Sequence, residues 1–366
     1  MRIDWKSALG IALSAVLLWW TLHGEPLGEV WAAVRAADWW LWLAAVVAAT
    51  LTFPVRARRW RTILEPVAAR VPFGPLWRAT AIGMMANNVA PARAGEVARA
   101  YSLSREEPRV PTATALASIA VDRVFDAIVL LLLMFVAPFD PAFPPGGTVY
   151  GQSVPTLARG GIVMVVGLLV GLYGLLAFPA AAERVFRTLV RRVAPRFEAR
   201  GAGMLRAFAA GLGVLRSPGR FASVFAWTLA HWLLAAWSLW LGFRAVGIAA
   251  PFTAALFLNG VSSLATAVPS SPGFFGVFES VSKVTLRLYN VPDTLAVSWA
   301  LGYHVLTFVP ITVIGAVYAV RLGFHFRDLT GGSDAGDLHD AGDGAGRDDA
   351  SDEPGRERSA PAAGRA

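Results

Sequence analysis

Cysteine is absent from the 366 residues, which excludes disulfides and thiolate-ligated metal. Charge is scarce. Only 16% of residues are Asp, Glu, Lys or Arg, against about 25% in an ordinary soluble domain. That deficit excludes a disordered chain and an ordinary soluble enzyme. Lysine is nearly missing, with Lys6 and Lys283 alone, so almost all positive charge is arginine. The five histidines (His23, His231, His304, His325, His339) show neither HxxxH nor HExxH spacing, so no metal site is expected. A nucleophile elbow, P-loop, Rossmann fingerprint and zinc motif are all missing, so neither a cofactor nor a catalytic residue is expected.

What is abundant is apolar side chain. Hydrophobic residues make up 55%, with 14 Trp and 21 Phe, and the mean hydropathy is +0.52. Side chains on this scale need lipid or a core to hide in, so the class is an all-α polytopic membrane protein. The net charge is +8, unevenly spread. Residues 328–366 carry ten acids and four arginines, a net −6, which leaves +14 on the rest. A basic membrane body reads as cytoplasmic loops facing anionic inner-leaflet lipid. Nucleic acid is not expected, since no basic stripe sits on a soluble domain.

Six segments are apolar and long enough for a ~30 Å bilayer core, at about 5–22, 39–56, 113–136, 157–178, 221–243 and 296–320. Six arginines in 56–78 and nine in 179–220 mark cytoplasmic loops, which places both termini in the cytoplasm. The 179–220 loop reads as amphipathic helices on the inner leaflet, because Val185, Leu189 and Val193 alternate with Arg187, Arg191 and Arg192. Trp19, Trp20, Trp39, Trp40 and Trp42 read as an interfacial aromatic belt.

Two stretches, 77–104 and 252–290, begin and end on the same side and are broken in the middle. Pro91 and Gly95 interrupt the first; Pro269, Pro272, Gly273 and Gly276 interrupt the second. Both read as broken re-entrant hairpins, tolerated where buried in protein or lining a cavity; the alternative is two complete thin spans in each stretch. The order span, span, hairpin, span then occurs twice, over 5–136 and 157–320, in opposite orientations. Two inverted repeats with paired broken helices are the architecture of secondary transporters. Residues 1–327 are thus one transmembrane domain, and 328–366 a disordered acidic cytoplasmic tail.

Three constellations carry chemistry. Asp122, Arg123 and Asp126 share one face of an apolar helix, and each charge at bilayer centre costs about 2.5–3.5 kcal/mol unless paired or wet. They predict either a polar cavity where Arg123 meets an anion or a salt bridge locking two helices. Asn87, Asn88, Arg93, Glu96, Arg99 and Tyr101 surround the first break, where a freed helix N-terminus and an arginine fork suit a phosphate. Arg99 has the plainer reading of snorkelling to the interface. Ser271 lies at the second break, followed by Glu279, Lys283 and Arg287 on one stripe. The polar run Asn259, Ser262, Ser263, Thr266 reads mainly as helix packing. His231 and His304 read as packed residues rather than proton relays.

Four motifs now combine: Asn88…Pro91-x-Arg93-x-Gly95-Glu96…Arg99-Ala100-Tyr101; Asp122-Arg123-x-x-Asp126; Pro269-x-x-Pro272-Gly273-x-x-Gly276-x-x-Glu279; and Tyr303-His304…Thr307-Phe308. Together they resemble the lysylphosphatidylglycerol synthase transmembrane region family, the flippase-like integral membrane proteins, over roughly residues 8–322. The resemblance implies lipid translocation. Family members are similar to the flippase half of multiple peptide resistance proteins, which move aminoacylated phosphatidylglycerol, and others are associated with polyprenyl-linked sugars. It implies that Arg93, Glu96, Asp122, Arg123, Asp126 and Glu279 line a central cavity. Asp122 stands where Glu is expected. His304 stands where Arg is common, which lowers the positive charge of the second half. The aminoacyltransferase domain expected after the membrane region is replaced here by an acidic tail, which argues against lipid synthesis by this chain alone.

The expectation is therefore a non-enzymatic flippase of the cell inner membrane, moving an anionic or phosphate-bearing lipid. Substrate contacts are expected from Asn88, Arg93, Glu96, Arg99, Asp122, Arg123, Asp126, Ser271, Glu279 and His304. Two alternatives stand beside it: a scaffold recruiting a soluble lipid-modifying transferase, and an integral membrane lipid transferase. A lipid-modifying partner enzyme and a homo-oligomer are compatible with all three.

Overall fold

A computed structural model describes residues 5–90, 94–143, 148–149, 152–193, 195, 198–266 and 271–324. Arg93, Pro91, Pro269 and the 328–366 tail lie outside the described residues. Among the described residues the regular structure is helical apart from a two-residue hairpin, Thr148–Val149 with Gln152–Ser153. The helices are α1 (Trp5–Leu22), α2 (Leu27–Ala36), α3 (Trp39–Leu64), α4 (Phe73–Val89), α5 (Gly95–Glu106), α6 (Thr112–Met134), α7 (Val154–Ala177), α8 (Pro179–Val193), α9 (Glu198–Gly211), α10 (Pro218–Ala245), α11 (Phe252–Ala265), α12 (Val277–Arg287) and α13 (Asp293–Arg321).

Among the described residues, α3, α10 and α13 are long and apolar enough to cross a membrane. A fourth span counts if α7 and α8, which meet at 104°, run as one. The chain is a multi-pass membrane protein. Six spans were expected. The 23-residue α6 has the length, but Asp122, Arg123 and Asp126 depress its hydropathy, and only its neighbours neutralise them.

The largest departure from expectation is α3. Its expected end near residue 56 is not a boundary. Asp38 caps the start, accepting from the N–H groups of Trp40 and Leu41, and the helix runs through Pro54 to Leu64. Arg56, Arg58, Arg59 and Arg61 therefore stand on the helix and not in a loop. The first basic loop is correspondingly shorter: it keeps Arg70, and Arg78 stands on α4.

α3 packs along α10 over the most extensive helix interface of the fold, and both touch α13. Trp42, Phe243 and Trp299 fill the core between these three helices. Trp42 is 1% exposed and so is no part of an aromatic belt. Trp19, Trp20, Trp39 and Trp40 are exposed, as a belt requires. α9 packs on α6, tied to α8 by Glu183, which accepts from Arg187 at 2.8 Å and Arg206 at 2.6 Å. Val185 and Leu189 on α8 are exposed, as an amphipathic surface helix requires.

The two broken stretches are each a pair of short helices. α4 and α5 have 17 and 12 residues; α11 and α12 have 14 and 11. At 1.5 Å per residue the longest reaches only about 25 Å, short of a ~30 Å core. α4 and α5 approach closely because Gly83 and Gly95 face each other. A Cβ on Gly95 would lie 2.1 Å from the Gly83 carbonyl oxygen. Arg78 on α4 pairs with Glu106 at the far end of α5. The close approach makes a prediction: Gly95→Ala forces backbone from backbone. It should cost about 1–3 kcal/mol, read as a lower melting temperature in detergent, whereas Gly171→Ala, which meets open space, should not.

Candidate functional site

Asp122 and Asp126 lie one turn apart on α6 and both face α3. Arg59, fully buried, reaches both: its two terminal nitrogens lie 2.6 Å from Asp122 and 2.6 Å from Asp126. The i,i+4 spacing of the carboxylates matches the two prongs of one guanidinium, a pairing Arg can make and Lys cannot. Arg56 approaches Asp122 at 3.7 Å and Asp126 at 3.9 Å. Arg99 from α5 joins at 3.1 Å from Asp122, stacked 3.9 Å over the Trp60 ring. It is 4% exposed, so the snorkelling reading of Arg99 fails. Trp232 on α10 donates its indole N–H to Asp126 at 2.9 Å.

Arg123 differs from the other three arginines. It pairs with Glu96 and lies 3.4 Å from Asp126, yet its side chain remains 37% exposed, against 0% for Arg59. Across the cluster four guanidiniums face three carboxylates, Glu96, Asp122 and Asp126, among the described residues. One positive charge is left over, and Arg123 is its accessible member.

Arg123 and Asp126 open into a cavity of about 360 Å³ between α6, α10 and α11. Its polar lining is these two residues with Trp232, Ser263 and Thr266. Its other walls are apolar, including Leu130, Leu131, Met134 and Leu264. Binding pockets start at about 300 Å³, so the space takes a headgroup and the first part of a chain rather than a whole lipid.

The expected site residues thus divide. Glu96, Asp122, Arg123 and Asp126 meet in one network, with Arg99 behind them. Glu96, Asp122 and Arg99 do not line the cavity: Asp122 and Arg99 are buried against α3 and Trp60, and Glu96 meets the network through Arg123. Asn88 instead donates to Thr312 on α13 at 2.8 Å, tying the first broken pair to the last helix. Neither Glu279 nor His304 lines this cavity. Glu279, 0% exposed, accepts from the Gly276 N–H at 2.7 Å and contacts His304 at 2.6 Å. Ser271 is also remote: its N–H donates to Ser14 on α1. Several participants escaped the sequence reading. Arg56 and Arg59 looked like loop charges, Ser263 with Thr266 like helix glue, and Trp232 carried no signal that set it apart from the other residues of its apolar span. A usable signal existed for Arg59: the apolar residues Trp60, Ile63 and Leu64 continue the helical pattern beyond it.

The two broken pairs carry a matching device. In each, a glutamate in the first turn of the second short helix meets a nitrogen-bearing side chain on the helix that follows. These pairs are Glu96 with Arg123 and Glu279 with His304.

The family model described as the lysylphosphatidylglycerol synthase TM region matches residues 7–315. The chain is 29% identical to the glycosyltransferase AglD of Haloferax volcanii over 81% of its own length and 51% of that protein's. It therefore spans about half of that relative. It is 25% identical to a UPF0104 membrane protein of Methanothermobacter thermautotrophicus over 85% of this chain and 91% of the relative. A UPF0104 membrane protein of Pyrococcus horikoshii is 20% identical over 86% and 95%. With the family model covering nearly the whole membrane body, the chain belongs to the lysylphosphatidylglycerol synthase TM region family.

Proposed function

We propose that this protein moves a phosphate-bearing anionic lipid, an aminoacylated phospholipid or a polyprenyl-linked sugar, between the leaflets of the cell inner membrane. One observation carries the reading: a cavity lined both by the accessible guanidinium of a network with surplus positive charge and by aliphatic side chains. That lining is complementary to a lipid, with the phosphate on Arg123 and the tail along Leu130 and Leu264. In this reading α4–α5 and α11–α12 are re-entrant hairpins of two inverted repeats. Their shortness supports it. So does their packing, in which α4 lies on α13 and α11 lies on α6, each against the other repeat's last helix. Both termini then face the cytoplasm with the arginines of α8 on anionic lipid, and the protein performs no covalent chemistry itself.

The test is leaflet exchange of fluorescent lipids in proteoliposomes. Arg123→Gln, which removes the surplus charge and keeps a polar side chain, should lower exchange of the phosphate lipid by about tenfold or more, the worth of one charge-assisted bond. It should leave a neutral diacylglycerol probe unaffected. Equal exchange by Arg123→Gln and the unaltered protein for every anionic lipid would remove the basis of the reading. The name of the Haloferax relative favours a second reading, an integral membrane lipid transferase. Formation of a new labelled lipid in the same vesicles would decide for it.

A further inference from the structure

His304 on α13 makes two contacts that together demand a proton. Its Nε2 lies 2.8 Å from the Gly273 carbonyl oxygen. A carbonyl only accepts, so that bond exists only when Nε2 carries hydrogen. Its Nδ1 lies 2.6 Å from Glu279 Oε1. If Nδ1 also carries hydrogen, the ring is an imidazolium on a carboxylate. If it does not, Glu279 must be the protonated partner. Both arrangements contain the same extra proton, so the conclusion is independent of where the hydrogen is assigned.

Without that proton the pair cannot keep both bonds. One nitrogen becomes a bare lone pair, and it faces either a carboxylate at 2.6 Å or a carbonyl at 2.8 Å. A neutral ring keeps the stronger, charge-assisted bond to Glu279 and releases Gly273. Gly273 sits in the break before α12, where the backbone is held in the left-handed region at Gly273 (φ 71°), Phe274 (φ 61°) and Gly276 (φ 84°). The two glycines take this conformation freely, but Phe274 does not, and a side-chain-bearing residue held there persists only while its surroundings enforce it. His304 is one enforcer, stacked 4.2 Å over Phe275. Glu279 is another, through the Gly276 N–H.

We propose that Glu279 and His304 form a proton-binding site whose occupancy holds the second break closed, so that each transport cycle takes up and releases one proton there. The proposal deepens the transport reading and rests on it for the use of the proton, though not for the site's chemistry. The charged groups on the surrounding elements are committed elsewhere. Lys283 on α12 binds Glu25 at 2.7 Å and approaches Asp293 at 3.6 Å. Tyr303 on α13 contacts Ser238. Arg78 on α4 pairs with Glu106. His231 on α10 contacts the Thr52 carbonyl, and Arg35 on α2 lies over Trp31. The matched pair in the first half, Glu96 with Arg123, has a guanidinium that never releases its proton. One half is thus fixed and the other titratable, an asymmetry that lets a proton act on one hairpin alone.

The chain lacks cysteine, so Ser271→Cys places a single thiol at the break. The test measures its rate of reaction with N-ethylmaleimide in the full-length protein in nanodiscs across a pH series. Thiolate formation raises every rate with pH. The quantity read is therefore the ratio to the same thiol in a His304→Gln background, which lacks the imidazole of the pair. The ratio should rise about tenfold as the pair loses its proton. Glu279→Gln, a permanent mimic of the protonated acid, should show only the rise due to thiolate formation and serves as comparison if His304→Gln does not fold. Parallel pH profiles in all three proteins overturn the site. So does ¹⁵N-histidine NMR of the unsubstituted protein if removal of the extra proton leaves the hydrogen bond to Gly273 intact. Exchange assays under an imposed pH gradient separate the two ideas. A pH-dependent break in a protein that exchanges no lipid keeps the proton site and defeats transport. Lipid exchange with a pH-blind break does the reverse.

Discussion

Asp122→Asn should destabilise the protein by about 3–5 kcal/mol, the usual cost of removing one partner from a buried ion pair, and Arg59→Gln should cost distinctly less. Contact distances alone suggest the opposite, since Arg59 makes two contacts of 2.6 Å, while Asp122 makes one at 2.6 Å and others at 3.1 and 3.7 Å. Charge decides the order. Removing Asp122 leaves four guanidiniums against two carboxylates, with Arg56, Arg59 and Arg99 all buried. Removing Arg59 leaves three against three, and Arg56 and Arg99 still reach Asp122. Two uncompensated cations in low dielectric are worse than a looser neutral network. Thermal unfolding of both variants in the same detergent checks the ranking. A more stable Asp122→Asn than Arg59→Gln would mean that the cluster is not held by charge balance.

Ala127→Phe should abolish most lipid exchange and leave stability nearly unchanged. Ala127 lines the cavity beside Leu130 and Leu131, so a benzyl group there enters empty volume instead of displacing packed atoms. Overpacking a filled core costs about 1–3 kcal/mol; filling a void avoids that penalty. The ion network is untouched, which separates this variant from Arg123→Gln. The expected exchange rate is lower by about tenfold or more, equivalent to about 1.4 kcal/mol of lost access, with the melting temperature held. Ala127→Ser, which barely changes volume, should exchange like the unaltered protein. Full exchange by the Ala127→Phe variant would show that the lipid travels elsewhere.

Residues that violate their surroundings were legible in the sequence. Asp122, Arg123 and Asp126 are conspicuous because they interrupt an apolar run, and their cost in lipid forces a partner. Glu96 and Glu279 were visible beside Pro and Gly breaks for the same reason. Residues that agree with their surroundings were illegible. Arg56 and Arg59 sit among other arginines just past an apolar run, a pattern that charge bias assigns to a loop. Their selection as partners depends on α3 continuing past Pro54 and lying against α6. Trp42 looked like its exposed neighbours, and only the packing of α3 against α13 places it inside. His304 looked like any lone histidine, since the Gly273 carbonyl that gives it a second bond is 31 residues away.

The sequence by itself determined the membrane class, the helical content, the two broken stretches and the family, because these follow from composition, local periodicity and short motifs. Tertiary structure decided which charge meets which. It put Arg59 across both aspartates, left Arg123 facing the cavity, and separated Glu279 and His304 into a site of their own. The physical reason is that an ion pair between helices has no sequence spacing: its energy depends on distances fixed only when α3, α5 and α6 have packed.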